Sequence, residues 1–219
     1  MARLVIFGAK VMAKLAHYYF TRDSEHQVVA FTVDQEYLEQ DSFLGLPVVD
    51  FAQVAERYPP PEFKMFVALG YAGMNHVRAE KYRAAKACGY ELVSYVSGRC
   101  SLLTETPIGD NCFILEDSTI QPFVRIGNDV VLWSGNCIGH DSVIEDHCFI
   151  SSHVVVSGYV HIAQYCFLGV NATLRNGITV AAETLVGAGA VIMQDTVEKG
   201  VYVPPRSKLL ERQSDEIRL

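Results

Sequence analysis

The chain has 219 residues and is 50% hydrophobic, enough to build one large core or two small ones. Its formal net charge is -7 with no basic run, which argues against nucleic acid or an anionic membrane surface as the main partner. The first twenty residues are broken by Lys10 and Lys14 and lead to no small-residue cleavage site. No stretch reaches the roughly 20 apolar residues of a membrane span, so a cytoplasmic protein is expected.

Residues 1–95 alternate between strand and helix patterns. Leu4 to Gly8 reads as a buried strand and Lys10 to Phe20 as a helix; Val28 to Val33 is a second strand. Phe51 to Tyr58 is a short helix stopped by the prolines at 59 to 61. Met65 to Leu69 is a third strand, and Asn75 to Cys88 a helix with Glu80, Lys81, Arg83 and Lys86 on its wet faces. Such βαβ alternation predicts a small parallel sheet flanked by helices.

From Val96 the rhythm changes. Every sixth residue is aliphatic, from Val96 through Leu102, Ile108 and Ile114 to Val186 and Ile192, seventeen in register, until Glu198 breaks the series. With about a third of positions aliphatic, chance gives such a run on the order of once in a hundred million, so a repeat architecture is indicated. The residue four places after each aliphatic is mostly small or β-branched, suited to a narrow interior where strands turn three corners per coil. Cys100, Cys112, Cys148 and Cys166 fall at that phase and read as small buried hydrophobes; with Cys88 and Cys137 they form no CxxC pair. Glycine follows the aliphatic at 109, 127, 139, 169 and 187, where it is expected to supply an unusual φ at a turn. Trp133, after Leu132, is expected to project from a corner toward a partner subunit or a substrate. Three sixes make one triangular coil, rising about 4.8 Å.

The pattern resembles the hexapeptide-repeat acyltransferases: an aliphatic residue, then Gly, Ala, Glu or Asp, two of any kind, then Ser, Thr, Ala or Val. The resemblance implies a left-handed parallel β-helix over 96–203, after the α/β domain of 1–95 and before a tail of 204–219. A small βαβ domain ahead of the β-helix looks like the sugar acetyltransferases of bacterial glycan synthesis. These N-acetylate nucleotide-linked amino-sugars or O-acetylate sialic acid. Ile138 to Ile144, Cys166 to Asn171 and Leu185 to Ala190 carry the likeness. It implies acetyl-CoA as co-substrate, a nucleotide-sugar as acceptor and a homotrimer.

Acetyl transfer from a thioester needs a base for the acceptor's proton, donors for the oxyanion and close placement of two substrates. Among the seven histidines, His140 lies at an outward phase, with Gly158 one coil later leaving an open notch. Asp141 follows and is placed to orient the imidazole. In the resembling enzymes the base is a histidine followed by an acidic residue, which His140 and Asp141 match. The resemblance further implies cofactor contacts at Gly158, Val170, Gly187, Ala188 and Arg206. For the nucleotide-sugar it implies Asp34; Gly8, Gly70 and Tyr71 join it at the sheet edge where ligands bind open parallel sheets.

The chain departs from the family at two places. The first turn reads Gly8-Ala9-Lys10-Val11-Met12-Ala13 in place of a Gly-His-Gly turn, and Val203-Pro204-Pro205-Arg206 replaces the usual C-terminal Gly-x-Pro-Ala-Lys/Arg loop. Three alternatives stay open: a sugar O-acetyltransferase, a non-catalytic binding trimer, and a zinc protein like the γ-class carbonic anhydrases. The last would use His147 and His153, six residues apart, which points their rings about 120° apart and suits two ligands in one subunit poorly. No metal is assigned.

Overall fold

The computed structural model describes residues 2–209, 211, 213 and 214. The N-terminal unit is a five-stranded sheet ordered β3-β4-β2-β1-β5, with β1 Arg3–Phe7, β2 Gln27–Val33, β3 Ser42–Phe43, β4 Leu46–Asp50 and β5 Phe63–Val67. Helices α1 Val11–Arg22, α2 Val54–Arg57 and α3 His76–Ala87 accompany it. The sheet differs from expectation at one edge: β3 runs antiparallel to β4, so the sheet is mixed. This hairpin is too short to show a period, and Pro47 masks the strand that follows it.

From Tyr95–Val96 the chain winds into the left-handed parallel β-helix that the resemblance implied. Two-residue strands stack in exact eighteen-residue register, as in Cys137↔Val155 and Ile138↔Val156. They form three faces of seven, six and four strands. From Ile114 on the aliphatic series points inward and is almost completely buried, with Cys112, Cys148, Val154, Cys166 and Ala172 beside its members; Val96 and Ile108 are half-buried and Leu102 is exposed. Burial pushes the Cys112 thiol up to about 12, as suits a small hydrophobe. Val201–Tyr202 closes the last coil against Leu185–Val186, two residues early, and residues 203–209 carry no regular structure. Of the expected tail, residues 210, 212 and 215–219 lie outside the described residues.

The corner glycines work differently from the expectation. Positive φ falls three places after every aliphatic from Ile108 to Val186, at Asp117, Asp129, Asp141, His147, His153 and Asn171 among others. Gly109, Gly127, Gly139, Gly169 and Gly187 have ordinary φ. Four of them instead allow close stacking: a Cβ on Gly139 would stand 2.5 Å from the backbone nitrogen of Gly158, and one on Gly169 2.5 Å from that of Ala188.

The N-terminal unit covers the seven-stranded face. Leu4, Ile6, Phe20 and Phe66 pack with the outward side chains Phe113, Leu115, Val131 and Phe149 in one core. Trp133 belongs to this junction, packed against that core with its ring 6.4 Å from Phe149. It therefore faces the chain's own first domain, because its corner borders the covered face. Among the described residues, no helix is long and apolar enough to cross a membrane.

Candidate active site

The left-handed corner at Asp141 (φ 58°) turns its side chain back on its neighbour. Oδ2 of Asp141 lies 2.9 Å from Nδ1 of His140, which holds the ring and leaves Nε2 exposed. The His140 side chain is 48% exposed, so substrate can reach it. The Tyr159 ring meets it edge-on at 5.0 Å. A methyl group at Gly158 would stand 2.8 Å from Nε2 of His140 and 3.2 Å from Oδ1 of Asn176. The glycine thus opens a notch with His140 on one side and Asn176, one coil further on, on the other. The Gly158 N–H has no hydrogen-bond partner among the described residues, so a donor stands beside the imidazole. Asn176 was missed in the sequence; the eighteen-residue step from 140 through 158 to 176 was the signal.

The other repeat histidines have different surroundings. His147 is buried, its Nδ1 2.8 Å from Oδ2 of Asp129, between the rings of Tyr82 and Tyr165. His161 pairs through Nε2 with Glu145 at 2.7 Å. His153 is exposed and lies over Gly135. The zinc alternative therefore has one of its two histidines committed to a buried carboxylate.

Gly8, Asp34 and Gly70 come together in a cleft of about 490 Å³ at the strand ends of the first domain, with Lys10 and Tyr37 also in its wall. Gly8 has φ +118°, and a Cβ there would meet the carbonyl of Ala68 at 2.9 Å. Asp34 is held by Lys81, Nζ to Oδ2 2.9 Å. Burial works against the Lys81 cation, but its hydrogen bonds and charge attraction to Asp34 and Glu80 together outweigh this and keep its pKa above the ordinary lysine value. Tyr71 does not line the cleft. Its ring lies 5.0 Å from Phe149 and 4.8 Å from Phe167, on the β-helix face.

A buried polar joint links the two units, and nothing in the sequence flagged it. Arg78, 1% exposed, donates through Nε to Oδ1 of Asp129 (3.1 Å) and through Nη2 to the carbonyl of His147 (3.0 Å). Its Nη1 reaches the carbonyl of Gly70 (3.0 Å), so the joint also supports the cleft. Asn111 completes it, donating to Asp129 at 2.7 Å and accepting from the N–H of Val67 at 2.7 Å.

The expected cofactor residues occupy two edges of the coil. Val170 and Ala188 are exposed and stacked one coil apart on the edge before the six-stranded face, with the N–H of Gly189 donating to the carbonyl of Val170 at 2.8 Å. Gly158 and His140 lie on the edge after that face. Gly187 packs under Val203. Arg206 is exposed beyond the last coil.

Fold and site together define a hexapeptide-repeat β-helix protein carrying an N-terminal α/β domain and an exposed carboxylate-held histidine. Residues 107–140 and 124–158 match the bacterial transferase hexapeptide (six repeats) family, and residues 159–194 match the hexapeptide repeat of succinyl-transferase. The acetyltransferase domain of PglB from Neisseria gonorrhoeae FA1090 superposes with TM-score 0.82 at 23% identity, over 96% of this chain and 100% of that one. PerB from Caulobacter crescentus, solved in complex with CoA and GDP-perosamine, gives TM-score 0.79 at 23% identity, over 93% and 95%. At these identities the likeness establishes the fold. Among curated proteins, the acyl-[acyl-carrier-protein]–UDP-N-acetylglucosamine O-acyltransferase of Stutzerimonas stutzeri (strain A1501) is 28% identical over 99 residues, 42% of this chain and 38% of that protein. The chain thus spans about two fifths of the length of the curated relatives it matches.

Proposed function

We propose that this chain is an acetyl-CoA-dependent N-acetyltransferase acting on a nucleotide-linked amino-sugar in bacterial glycan synthesis, with His140 as general base. The observation that carries the reading is the His140 ring, held at Nδ1 by Asp141 with Nε2 open over Gly158. The acceptor nitrogen attacks the thioester carbonyl carbon and gives up a proton to Nε2. The Gly158 N–H, without a partner among the described residues, is the proposed donor to the developing oxyanion. The C–S bond breaks, and the imidazolium returns the proton to the departing thiolate. Asp141 supports the imidazolium formed between these steps.

The N-terminal cleft, with Gly8, Asp34 and Gly70, is the proposed nucleotide site. The ligands named for PerB, CoA and GDP-perosamine, support both substrate classes. A homotrimer accounts for the two separated edges: a neighbouring copy brings the Val170–Ala188 edge of one chain to the His140–Gly158 edge of another, making the CoA groove. The exposed Val155, Val191 and Met193 on the intervening face give such a copy an apolar surface to cover. The test is a screen of nucleotide-linked amino-sugars with acetyl-CoA, reading acceptor-dependent release of free thiol. Thiol release with at least one acceptor is expected; binding of acetyl-CoA with no turnover on any acceptor would contradict the reading.

A further inference from the structure

Residues 100–198 hold two arginines and no lysine. Arg125 lies on the four-stranded face. Arg175 directly follows the strand Thr173–Leu174 of the six-stranded face, at the edge that carries His140. Gly139, Ser157, Arg175 and Met193 succeed one another there at eighteen-residue steps. Arg175 is exposed and makes no ion pair among the described residues. Asp195, an acid of the same corner, accepts instead from the N–H of Thr179 at 2.8 Å. Nη1 of Arg175 donates to the carbonyl of Met193 at 3.2 Å, so the guanidinium leans one coil further from His140 than its own backbone. Its other N–H groups have no partner among the described residues.

We propose that Arg175 anchors the diphosphate of the CoA co-substrate. The inference rests on the acetyl-transfer reading above. Met193 stands three coils beyond Gly139, which is about 14 Å along the axis at about 4.8 Å per coil. In CoA about thirteen bonds separate the sulfur from the first phosphorus, and a chain that gains about 1.2 Å per bond spans about 16 Å when extended. A pantetheine arm laid along the coil from the His140 notch therefore brings its diphosphate level with the Arg175 guanidinium. The planar guanidinium matches phosphate oxygens through paired N–H donors, and those donors are the ones that the fold leaves unused. An acidic chain, at a net charge of -7, needs a local cation to hold so anionic a ligand. Among residues 100–198 Arg175 is the cation on this face.

The experiment is titration calorimetry on the full-length protein with three ligands: CoA, dephospho-CoA, which lacks the ribose phosphate but keeps the diphosphate, and pantetheine, which ends before the first phosphate. Binding is read without an acceptor, so the identity of the sugar does not enter. In Arg175→Gln the Kd values for CoA and dephospho-CoA are expected to rise by the same factor, about tenfold or more, with that for pantetheine unchanged. Arg175→Lys, which keeps the charge and loses the fork, is expected to fall between wild type and Arg175→Gln. Both variants should melt with the wild type, because the side chain's one bond is to an exposed carbonyl that water can satisfy. An unchanged CoA affinity in Arg175→Gln overturns the assignment while leaving acetyl transfer intact. So does a loss shared equally by pantetheine, which would mean a distorted groove, or a loss absent with dephospho-CoA, which would move the contact to the ribose phosphate. A wild type that binds neither CoA nor dephospho-CoA overturns the acetyl-CoA reading itself, and this assignment with it.

Discussion

His140 and His147 differ in what holds them, and so in what their removal should cost. Removing the His140 side chain takes away an exposed ring, so stability should change by less than about 0.5 kcal/mol. Loss of the general base should cost on the order of 10² to 10⁴ in kcat. With an amine acceptor the loss should shrink at high pH, because more of the amine is already deprotonated. His147→Ala removes the ring bonded to buried Asp129. Leaving that carboxylate short of a partner should destabilise by about 1–3 kcal/mol, read as a lower denaturation midpoint at constant m-value. His153→Ala, at an exposed ring, is the control that should keep both activity and stability. The His140–Asp141 pair was legible because both residues are adjacent and outward. Arg78 was not: a charged residue on a short helix reads as solvated, and its partner Asp129 is 51 residues away in sequence.

The coil shows the same contrast among glycines. Gly158→Ala puts a methyl against the tip of the His140 ring, which can swing away, so the protein should fold while turnover falls with the displaced base. Gly139→Ala puts a methyl against backbone of the next coil, which cannot swing, and should cost about 1–3 kcal/mol of stability. Thermal melts and thiol-release assays of the pair separate the two effects. The joint between α1 and the first coil gives a pH signature. Asp23 accepts from the Tyr95 hydroxyl at 2.6 Å, the Gly98 N–H at 3.0 Å and the Ser97 hydroxyl at 3.2 Å. These bonds, the one from Tyr95 foremost, hold its carboxyl below the usual range. A lowered folded-state pKa means stability that is present above the unfolded value, about pH 4, and is lost as pH falls through the folded one. The stability gap between wild type and Asp23→Asn should therefore be constant near neutrality and close below about pH 4. At this scale the six-residue period exposed the repeat, because each inward aliphatic reports one strand. The β3–β4 hairpin has no such period, and the function of the corner glycines depends on contacts eighteen residues away.

In the whole molecule, one face of the β-helix is sealed by the N-terminal unit through Phe113, Phe149 and Trp133, and two faces are left to solvent. That division separates the N-terminal cleft, the proposed nucleotide site, and the His140 notch into different elements, and a trimer is what the proposed function requires to complete a CoA groove. Light scattering should return three times the 24.3 kDa chain mass; a monomer at micromolar concentration would remove the shared groove. Acetyl-CoA should raise the melting temperature, since a ligand of the native state stabilises it, by about 2.7 kcal/mol at a hundredfold excess over Kd. The presence of two units was legible from the change of rhythm at residue 96, whereas the face on which they meet was not, because the aromatic residues that join them are distributed over both. The most direct test of the central claim is acceptor-dependent thiol release by the wild type and His140→Ala across pH, on one amino-sugar nucleotide. The account predicts a loss of 10² to 10⁴ near pH 7 that narrows as pH rises. Near-normal turnover of His140→Ala at every pH would contradict it.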